Sequence, residues 1–274
     1  MTASGALAYD GRGWPWEWPL RWMGLIDPKL FTIVTKTLTY SPRQGNLRWT
    51  HPWSCVKVFK EGAVNAIGLT NPGFQWWLRE VAPRIPERAY SMVCSITEDE
   101  PQKLSEMVRA LNSVSIKAIE LNASCPNTDQ ELHHNMEAVV NSVKLMKEQS
   151  VHPIILKLSV NQDYLAIAKQ SENYVEALSI NSVPWRIAFP GKESPLKSFG
   201  GGGVSGKIAQ KHTWKMLKEL ALTVKTPVIG PGVWSFEDIQ RLRDLGAKAI
   251  SFGSIFMRYP WRPTQYVKRD KSIQ

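Results

Sequence analysis

The chain has 274 residues, of which 43% are hydrophobic and 21% charged, which is a globular composition and excludes a disordered or fibrous protein. No apolar run approaches the roughly 18 residues that a membrane-spanning helix needs. The net charge of +10 suits either a polyanion-binding protein or one that holds small anionic ligands, and the scattered basic residues favour the second.

Short apolar runs alternate with longer helical patterns along the chain. The predicted strands span 32–37, 89–95, 116–122, 153–159, 175–181, 227–230 and 248–253. The predicted helices span 101–112, 131–148, 161–171, 210–221 and 235–245. Strands that are apolar along their whole length are typical of a parallel sheet covered by helices.

An eighth strand at residues 1–5 completes the pattern, and the chain would then begin at the end of its first strand. We therefore predict a single-domain (β/α)8 TIM barrel over residues 1–274. Residues 38–88 form a long insertion after the second strand, and we expect a loop over the top of the barrel.

Polar residues follow nearly every predicted strand. They are Thr2–Gly5, Lys36 and Thr37, Asn122–Asn127, Lys157, Asn181 and Ser182, Gly230–Gly232, and Gly253 and Ser254. The carboxyl ends of barrel strands meet at one rim, where barrel enzymes have their active sites. Each lysine could simply be solvated at a strand end, but the whole set predicts a shared pocket. A buried lysine there would need an anionic or acceptor partner.

Glycines dominate the later part of the chain. Residues 200–206 formally contain a GxGxxG pattern, but no predicted strand precedes it, so a dinucleotide fold is rejected. We interpret this segment as a loop before a helix that forms a phosphate site with the glycines of 230–232 and 253. Ordinary turns are the alternative.

Three cysteines without CxxC spacing exclude a disulfide framework, and no signal peptide is evident, so a cytoplasmic location is expected. Cys125 lies among polar residues at a strand end and is a candidate acid–base group. An inert, packed thiol is the alternative and fits Cys94 better. Cys55 receives no role. The five histidines lack ligand spacing, so no metal site is predicted.

Eight of the 12 tryptophans lie between residues 14 and 77. We interpret them as core or interface packing, because aromatic rings bury large apolar areas.

Several motifs, in one order along the chain, resemble those of a known family. They are VTKTLTYSPRQGN (34–46), VNAIGLTNPGF (64–74), ELNASCPN (120–127), LKLS (156–159), INS (180–182), GGVSG (202–206) and FGS (252–254). From Thr2 to about Met257, the chain resembles the dihydroorotate dehydrogenases, FMN enzymes of pyrimidine synthesis. It is similar to their soluble class, in which the base is a cysteine.

The resemblance implies roles for individual residues. Cys125 would be the catalytic base. The implied substrate-binding residues are Lys36, Asn65, Ile67, Gly68, Leu69, Asn122, Asn127, Asn181 and Ser182. The implied FMN-binding residues are Ser4, Gly5, Lys36, Thr37, Asn122, Lys157, Ile180, Gly206, Pro231, Gly232, Gly253 and Ser254.

The chain departs from the family pattern at three places. The family's N-terminal hairpin has no counterpart before Thr2, the turn at 230–233 is one glycine short, and residues 128–131 lack the usual glycine. These departures put the phosphate contacts and the loop over Cys125 in doubt, but they remove no chemical group.

The implied reaction is oxidation of (S)-dihydroorotate to orotate, with a proton leaving C5 to Cys125 and a hydride leaving C6 for flavin N5. We expect a homodimer, with or without a separate electron-transfer subunit. We expect no nucleic-acid partner and no membrane span. The electron acceptor stays open between fumarate, NAD through a partner, and quinone.

Two alternatives remain at this point. A tRNA dihydrouridine synthase shares the flavin barrel and suits the basic charge, but only about 20 residues follow Gly253, too few for a C-terminal RNA-binding domain. A non-catalytic flavin-binding barrel would explain the departures, although Lys36, Cys125 and Lys157 are present.

Overall fold

The computed structural model describes residues 1–48, 50–124 and 135–273. The strands in these ranges are β1 (Ile33–Val34), β2 (Val56–Phe59), β3 (Gly62–Asn65), β4 (Met92–Ile96), β5 (Ala118–Asn122), β6 (Ile154–Leu158), β7 (Ala177–Ile180), β8 (Val183–Pro184), β9 (Gly203–Gly206), β10 (Val228–Gly230) and β11 (Ala249–Ile250). The helices are α1 (Trp18–Trp22), α2 (Phe74–Glu80), α3 (Pro101–Leu111), α4 (Met136–Gln149), α5 (Tyr164–Ser171), α6 (Trp185–Ala188), α7 (Gln210–Thr223), α8 (Asp238–Asp244), α9 (Ile255–Arg258) and α10 (Arg262–Ile273). None of the helices in the described ranges is long and apolar enough to cross a membrane.

The larger sheet is parallel and runs in the order β1-β4-β5-β6-β7-β10-β11. Residues 1–3 lie between its first and last strands. The Thr2 N–H donates to the carbonyl of Thr32 at 2.9 Å, and the Ala3 N–H donates to that of Phe252 at 2.8 Å. This segment closes the sheet, so the predicted (β/α)8 barrel is confirmed, with the eighth strand reduced to a short pairing segment.

Each of the seven predicted barrel strands overlaps an observed strand, and β1, β4, β5, β6 and β10 are buried along their whole length. Side chains that point outward, such as Leu121 and Leu156, belong to the main core. A smaller apolar cluster joins residues of five strands inside the barrel: Val34, Val93, Ala118, Ile155 and Ile229. Because successive side chains of a strand point to opposite faces, the next inward residues lie one layer closer to the carboxyl rim.

The prediction of a loop over residues 38–88 is wrong in part. The insertion contains α2 and the β2–β3 hairpin. The hairpin pairs with β9 and β8 in an antiparallel sheet of order β2-β3-β9-β8. The interpretation of 200–206 as a loop is therefore wrong for Gly203–Gly206, which form β9. Glycine is a poor strand former, and pairing on both sides of β9 explains why this segment is nevertheless extended.

Candidate active site

A cavity of about 400 Å³ lies at the carboxyl rim of the barrel, within the usual size range of small-molecule sites. The predicted site residues that line it are Ser4, Gly5, Lys36, Thr37, Asn65, Ile67, Gly68, Leu69, Asn122, Lys157, Ile180, Asn181, Ser182, Gly206, Pro231, Gly232, Gly253 and Ser254. Cys125 and Asn127 lie outside the described residues. The structure thus brings the described members of the set to one place, while their roles stay predictions.

Two lysines line the cavity, Lys36 after β1 and Lys157 in β6. Lys36 and Lys157 are both buried, with 8% and 7% of their surface exposed. The Lys157 Nζ lies 2.6 Å from Oε1 of Glu120, on the adjacent strand β5. The expected anionic partner of a buried lysine is therefore present for Lys157, but the sequence analysis did not identify it.

The end of β5 is fixed by hydrogen bonds from two asparagines. The Asn122 amide nitrogen donates to Thr37 Oγ1 at 3.0 Å, while its oxygen accepts from the Ser124 hydroxyl at 2.7 Å and from the Ser124 N–H at 3.3 Å. The Asn181 amide donates to the carbonyl of Ser124 at 2.8 Å. Both amides are therefore held in one orientation at the cavity wall.

The loop after β3 has a backbone conformation that is unusual outside glycine. Gly68 and Leu69 have φ angles of +68° and +59°. The loop is held from outside, since the Asn46 N–H donates to the Ile67 carbonyl and the Asn71 amide donates to the Leu69 carbonyl at 2.7 Å. A left-handed leucine is costly, and such strain is typical of functional loops.

Glycines at the ends of β9 and β10 form the opposite wall. Gly206 and Gly232 have φ angles of +89° and +86°. The shortened turn at 230–233 is stabilised by α7, because the Trp214 indole donates to the Pro231 carbonyl at 3.0 Å and the Gln210 amide donates to the Gly232 carbonyl at 2.8 Å.

The donor set of the cavity suits a ligand that combines a phosphate group with a polar heterocycle. Backbone groups at glycines suit a phosphate, since a side chain there would occupy the space that the ligand needs. The buried lysines and amides provide polar partners for the edge of a heterocycle, and Ile180 provides an apolar contact.

The sequence analysis missed one wall of the cavity. Trp14, Trp16 and Trp53 line it, whereas Trp77 is fully buried in the core, as interpreted. The rings of Trp14 and Trp16 are stacked, with centroids 5.5 Å apart and planes at 4°. The Trp14 indole donates to the Gly5 carbonyl at 3.1 Å, which ties this wall to a strand end. The proximity of the tryptophans to Gly5 in the sequence was the available signal.

Glu17 is the other missed residue of this wall. It is 4% exposed, and its carboxylate accepts from the Trp14 N–H at 2.8 Å. Burial raises the pKa of Glu17 to about 7, because desolvation disfavours the charged form more than the one backbone hydrogen bond favours it.

The two described cysteines are buried. Cys94 lies in β4 with no exposed surface, and burial raises the pKa of its thiol strongly. This confirms its interpretation as a packed strand residue. Burial also raises the pKa of Cys55, at the start of the hairpin.

A closed barrel with a cavity at its carboxyl rim, lined by buried lysines and amides, is the arrangement found in barrel enzymes. The family model for dihydroorotate dehydrogenase matches residues 24–268. The chain therefore belongs to the dihydroorotate dehydrogenase family, a family of oxidoreductases, and the predicted resemblance is confirmed.

Curated relatives agree over most of their length. The chain is 29% identical over 261 residues to the dihydroorotate dehydrogenase B (NAD(+)) catalytic subunit of Thermoanaerobacter pseudethanolicus, covering 93% of this chain and 82% of the relative. It is 30% identical over 263 residues to the protein of the same name from Carboxydothermus hydrogenoformans, covering 93% and 81%. The corresponding Bacteroides thetaiotaomicron subunit is 28% identical over 265 residues, covering 93% and 82%.

Proposed function

We propose that the protein oxidises (S)-dihydroorotate to orotate in pyrimidine synthesis, with FMN as its cofactor. The observation that carries this proposal is the single cavity, in which residues from Ser4 to Ser254 converge although they come from separate segments of the chain. The family membership favours this function over the tRNA dihydrouridine synthase and the non-catalytic barrel.

The substrate is held by amides and a lysine. A dihydropyrimidine ring has alternating N–H donors and carbonyl acceptors, and asparagine side chains provide both kinds of partner. Asn65, Asn122 and Asn181 line the cavity, and we also assign Asn127 to this set. Lys36 provides positive charge for the substrate carboxylate.

Other residues that line the cavity would hold FMN. Gly206, Gly232 and Gly253 would bind its phosphate with backbone groups, while Thr37 and Lys157 would contact its ring. When bound, FMN supplies the acceptor for the hydride that leaves C6 of the substrate.

Cys125 is the base in this proposal. Its thiolate takes the proton from C5 while the hydride leaves C6, so the C5=C6 double bond of orotate forms and the substrate loses two electrons. A free thiol has a pKa near 8.5, and positive charge beside a thiol lowers its pKa in general. The residue directly before it, Ser124, is held by Asn122 and Asn181.

Cys125→Ser tests the assignment. Oxidation at neutral pH should fall by about 10²–10⁴-fold, because a serine hydroxyl is much harder to deprotonate, and it should recover partly at high pH. Binding of FMN and orotate should persist, since the side-chain volumes are close. The measurement is the pH–rate profile, after flavin content has been determined.

Cys94→Ser is the matched control. Because Cys94 packs inside a strand, this variant should keep its turnover and change only the thermal stability. Equal losses of turnover in the two variants, or wild-type turnover of Cys125→Ser at neutral pH, would show that Cys125 is not the base. Protein that binds no FMN and gives no dihydroorotate-dependent dye reduction would refute the proposed function itself.

The relatives are named as catalytic subunits, so we further propose that a separate electron-transfer subunit reoxidises the flavin. The homodimer and the cytoplasmic location also remain predictions. Steady-state rates with fumarate, NAD and quinone on one preparation identify the acceptor.

A further inference from the structure

The barrel interior below the cavity contains a buried carboxylate that the proposed mechanism does not use. Glu120 is 3% exposed and accepts three hydrogen bonds. The donors are Lys157 Nζ at 2.6 Å, Ser95 Oγ at 2.7 Å and Ser179 Oγ at 3.1 Å. They come from β6, β4 and β7, so one carboxylate connects three other strands of the barrel. All three of these groups act as donors, and the Lys157 ammonium makes its contact an ion pair, so the carboxylate is the acceptor in each.

This acceptor fixes the direction of a chain of hydrogen bonds. The Ser95 hydroxyl donates its only proton to Glu120. At the 2.9 Å contact with Thr37 Oγ1, Ser95 Oγ can therefore only accept. Ser4 Oγ, which donates to the Thr35 carbonyl at 2.8 Å, also lies 3.1 Å from Thr37 Oγ1. Thr37 therefore donates its one proton to Ser95 or to Ser4, and in either case it accepts from the Asn122 amide nitrogen at 3.0 Å. If the Asn122 amide were flipped, its oxygen would face the Thr37 hydroxyl, whose proton is already donated elsewhere, and no hydrogen bond could form.

The other side of Asn122 agrees with this orientation. Its amide oxygen accepts from both the N–H and the hydroxyl of Ser124, which occupies both lone pairs. One of its two amide N–H groups is used by Thr37. Among the described residues, the second amide N–H of Asn122 is the group that remains available to a ligand in the cavity.

We infer that Glu120 is a positioning residue of the active site, which holds the Lys157 ammonium at the cavity floor and, through Ser95 and Thr37, turns Asn122 into a donor-only group. The inference rests on the proposed function for the identity of the ligands. It specifies the chemistry at Asn122: the ligand atom there is an acceptor, such as a carbonyl oxygen or an unprotonated ring nitrogen, and not an N–H.

The ion pair also sets the charge at the cavity floor. With Glu120 ionised, the pair has no net charge. Without the carboxylate, the Lys157 charge would be uncompensated beside bound FMN, whose reduced form carries more negative charge than the oxidised form. Opposite charges a few ångströms apart in a partly buried site interact strongly.

Glu120→Gln tests the electrostatic part. In FMN-loaded protein, the flavin reduction potential should shift to a more positive value at pH 6. The measurement is repeated at pH 9. A role in stability alone would lower the thermal stability and leave the potential unchanged. A potential equal to that of the wild type across this pH range would overturn the inference.

Asp270→Asn is the control for loss of an ion pair. Asp270 pairs with Arg243 on α8, and neither residue lines the cavity. This variant should lose stability without a shift in the potential.

Ser95→Ala tests the relay separately, and it keeps the ion pair, so it remains informative if Glu120→Gln folds poorly. Without Ser95, the Thr37 hydroxyl is no longer held from the side of Glu120, so the Asn122 amide nitrogen loses support there while the Ser124 N–H still holds the amide oxygen. The dissociation constant of orotate, followed by the change in flavin absorption, should rise about three- to tenfold, as expected for one misdirected hydrogen bond. The potential of the ligand-free flavin should stay near that of the wild type.

Ser171→Ala is the matched control, because the Ser171 hydroxyl is buried without a hydrogen bond in the described part of the chain. It should leave orotate binding unchanged. Orotate affinity of Ser95→Ala equal to that of the wild type would refute the relay. Wild-type protein that binds neither FMN nor orotate would instead refute the proposed function, before any variant is compared.

Discussion

Burial at the cavity wall disfavours the charged form of an ionisable side chain, and Glu17 shows this effect. Its pKa is raised from 4.5 to about 7 by burial, so the folded state keeps a proton that the unfolded state releases. Between these pH values the folded state binds more protons, so the stability contribution present below pH 4.5 is lost as the pH rises toward 7. The total loss is on the order of 2–3 kcal/mol.

Glu17→Gln should remove this pH dependence. Glutamine keeps an oxygen that can accept from the Trp14 N–H but carries no charge. We expect the variant to unfold at nearly the wild-type temperature at pH 5 and several degrees higher at pH 8, as measured by thermal unfolding at both pH values. Glu193→Gln, which removes an exposed carboxylate, should give the same small change at both. An unchanged difference between Glu17→Gln and the wild type from pH 5 to 8 would contradict the argument.

Residue-level prediction succeeded where the residue type and its position at a strand end coincide. Lys36 and Lys157 were recognisable because a lysine that ends an apolar strand needs a partner. Glu120 was not recognisable, because its role depends on which residue of the next strand lies opposite it. The sequence of one strand does not determine that register. The cavity tryptophans resembled core residues, because an aromatic side chain has the same composition signal in either place.

At the scale of elements, the barrel strands and helices followed from their apolar periods, whereas the smaller sheet did not. The hairpin of β2 and β3 has only two residues, Lys60 and Glu61, between its strands. Such a connection is a recognisable hairpin signal, but it was hidden in a segment rich in Trp, Pro and Gly. Nothing local predicts β9, whose glycines become extended only through pairing with β3 and β8.

The contact between β9 and β3 depends on glycine at position 206. A Cβ there would lie 2.7 Å from Gly62 Cα and 3.0 Å from the Glu61 carbonyl oxygen, both backbone atoms. Gly206→Ala should therefore push the two strands apart, lower the unfolding temperature and weaken FMN binding, because Gly206 lines the cavity. Thermal unfolding and FMN titration measure the two effects.

Gly200→Ala is the control for backbone strain. Gly200 has a φ of +78° but open space around its Cβ position, so both variants pay about 1–2 kcal/mol for the left-handed conformation and only Gly206→Ala adds the clash. Equal losses of stability, with FMN affinity unaffected in both, would show that the close approach of the strands is unimportant.

At the scale of the whole molecule, the barrel interior is layered. Apolar residues such as Val93 and Ile155 fill its lower part. Two positions further along the same strands come Ser95 and Lys157, and the cavity lies above them. Because alternate residues of a strand face the barrel interior, residues two positions apart lie in successive layers: apolar packing first, then charged and polar groups, then the cavity. This is why the place of the site could be predicted from strand ends, while the contacts within each layer could not.

The layers stay in register only if the barrel is closed, and Thr2 is the residue that closes it. It is fully buried, and its Oγ1 accepts from the Val34 N–H at 2.9 Å. Thr2→Val keeps the shape but leaves that N–H without a partner in the interior, at a cost of about 1–3 kcal/mol. The unfolding temperature should fall by several degrees, and FMN binding should weaken, because Ser4 and Gly5 follow directly and line the cavity. Thr97→Val makes the same replacement at a buried hydroxyl that forms no hydrogen bond within the described residues, so it should be neutral or stabilising. If thermal unfolding and FMN titration find Thr2→Val as stable and as tightly bound as Thr97→Val, the closing segment does not control the site.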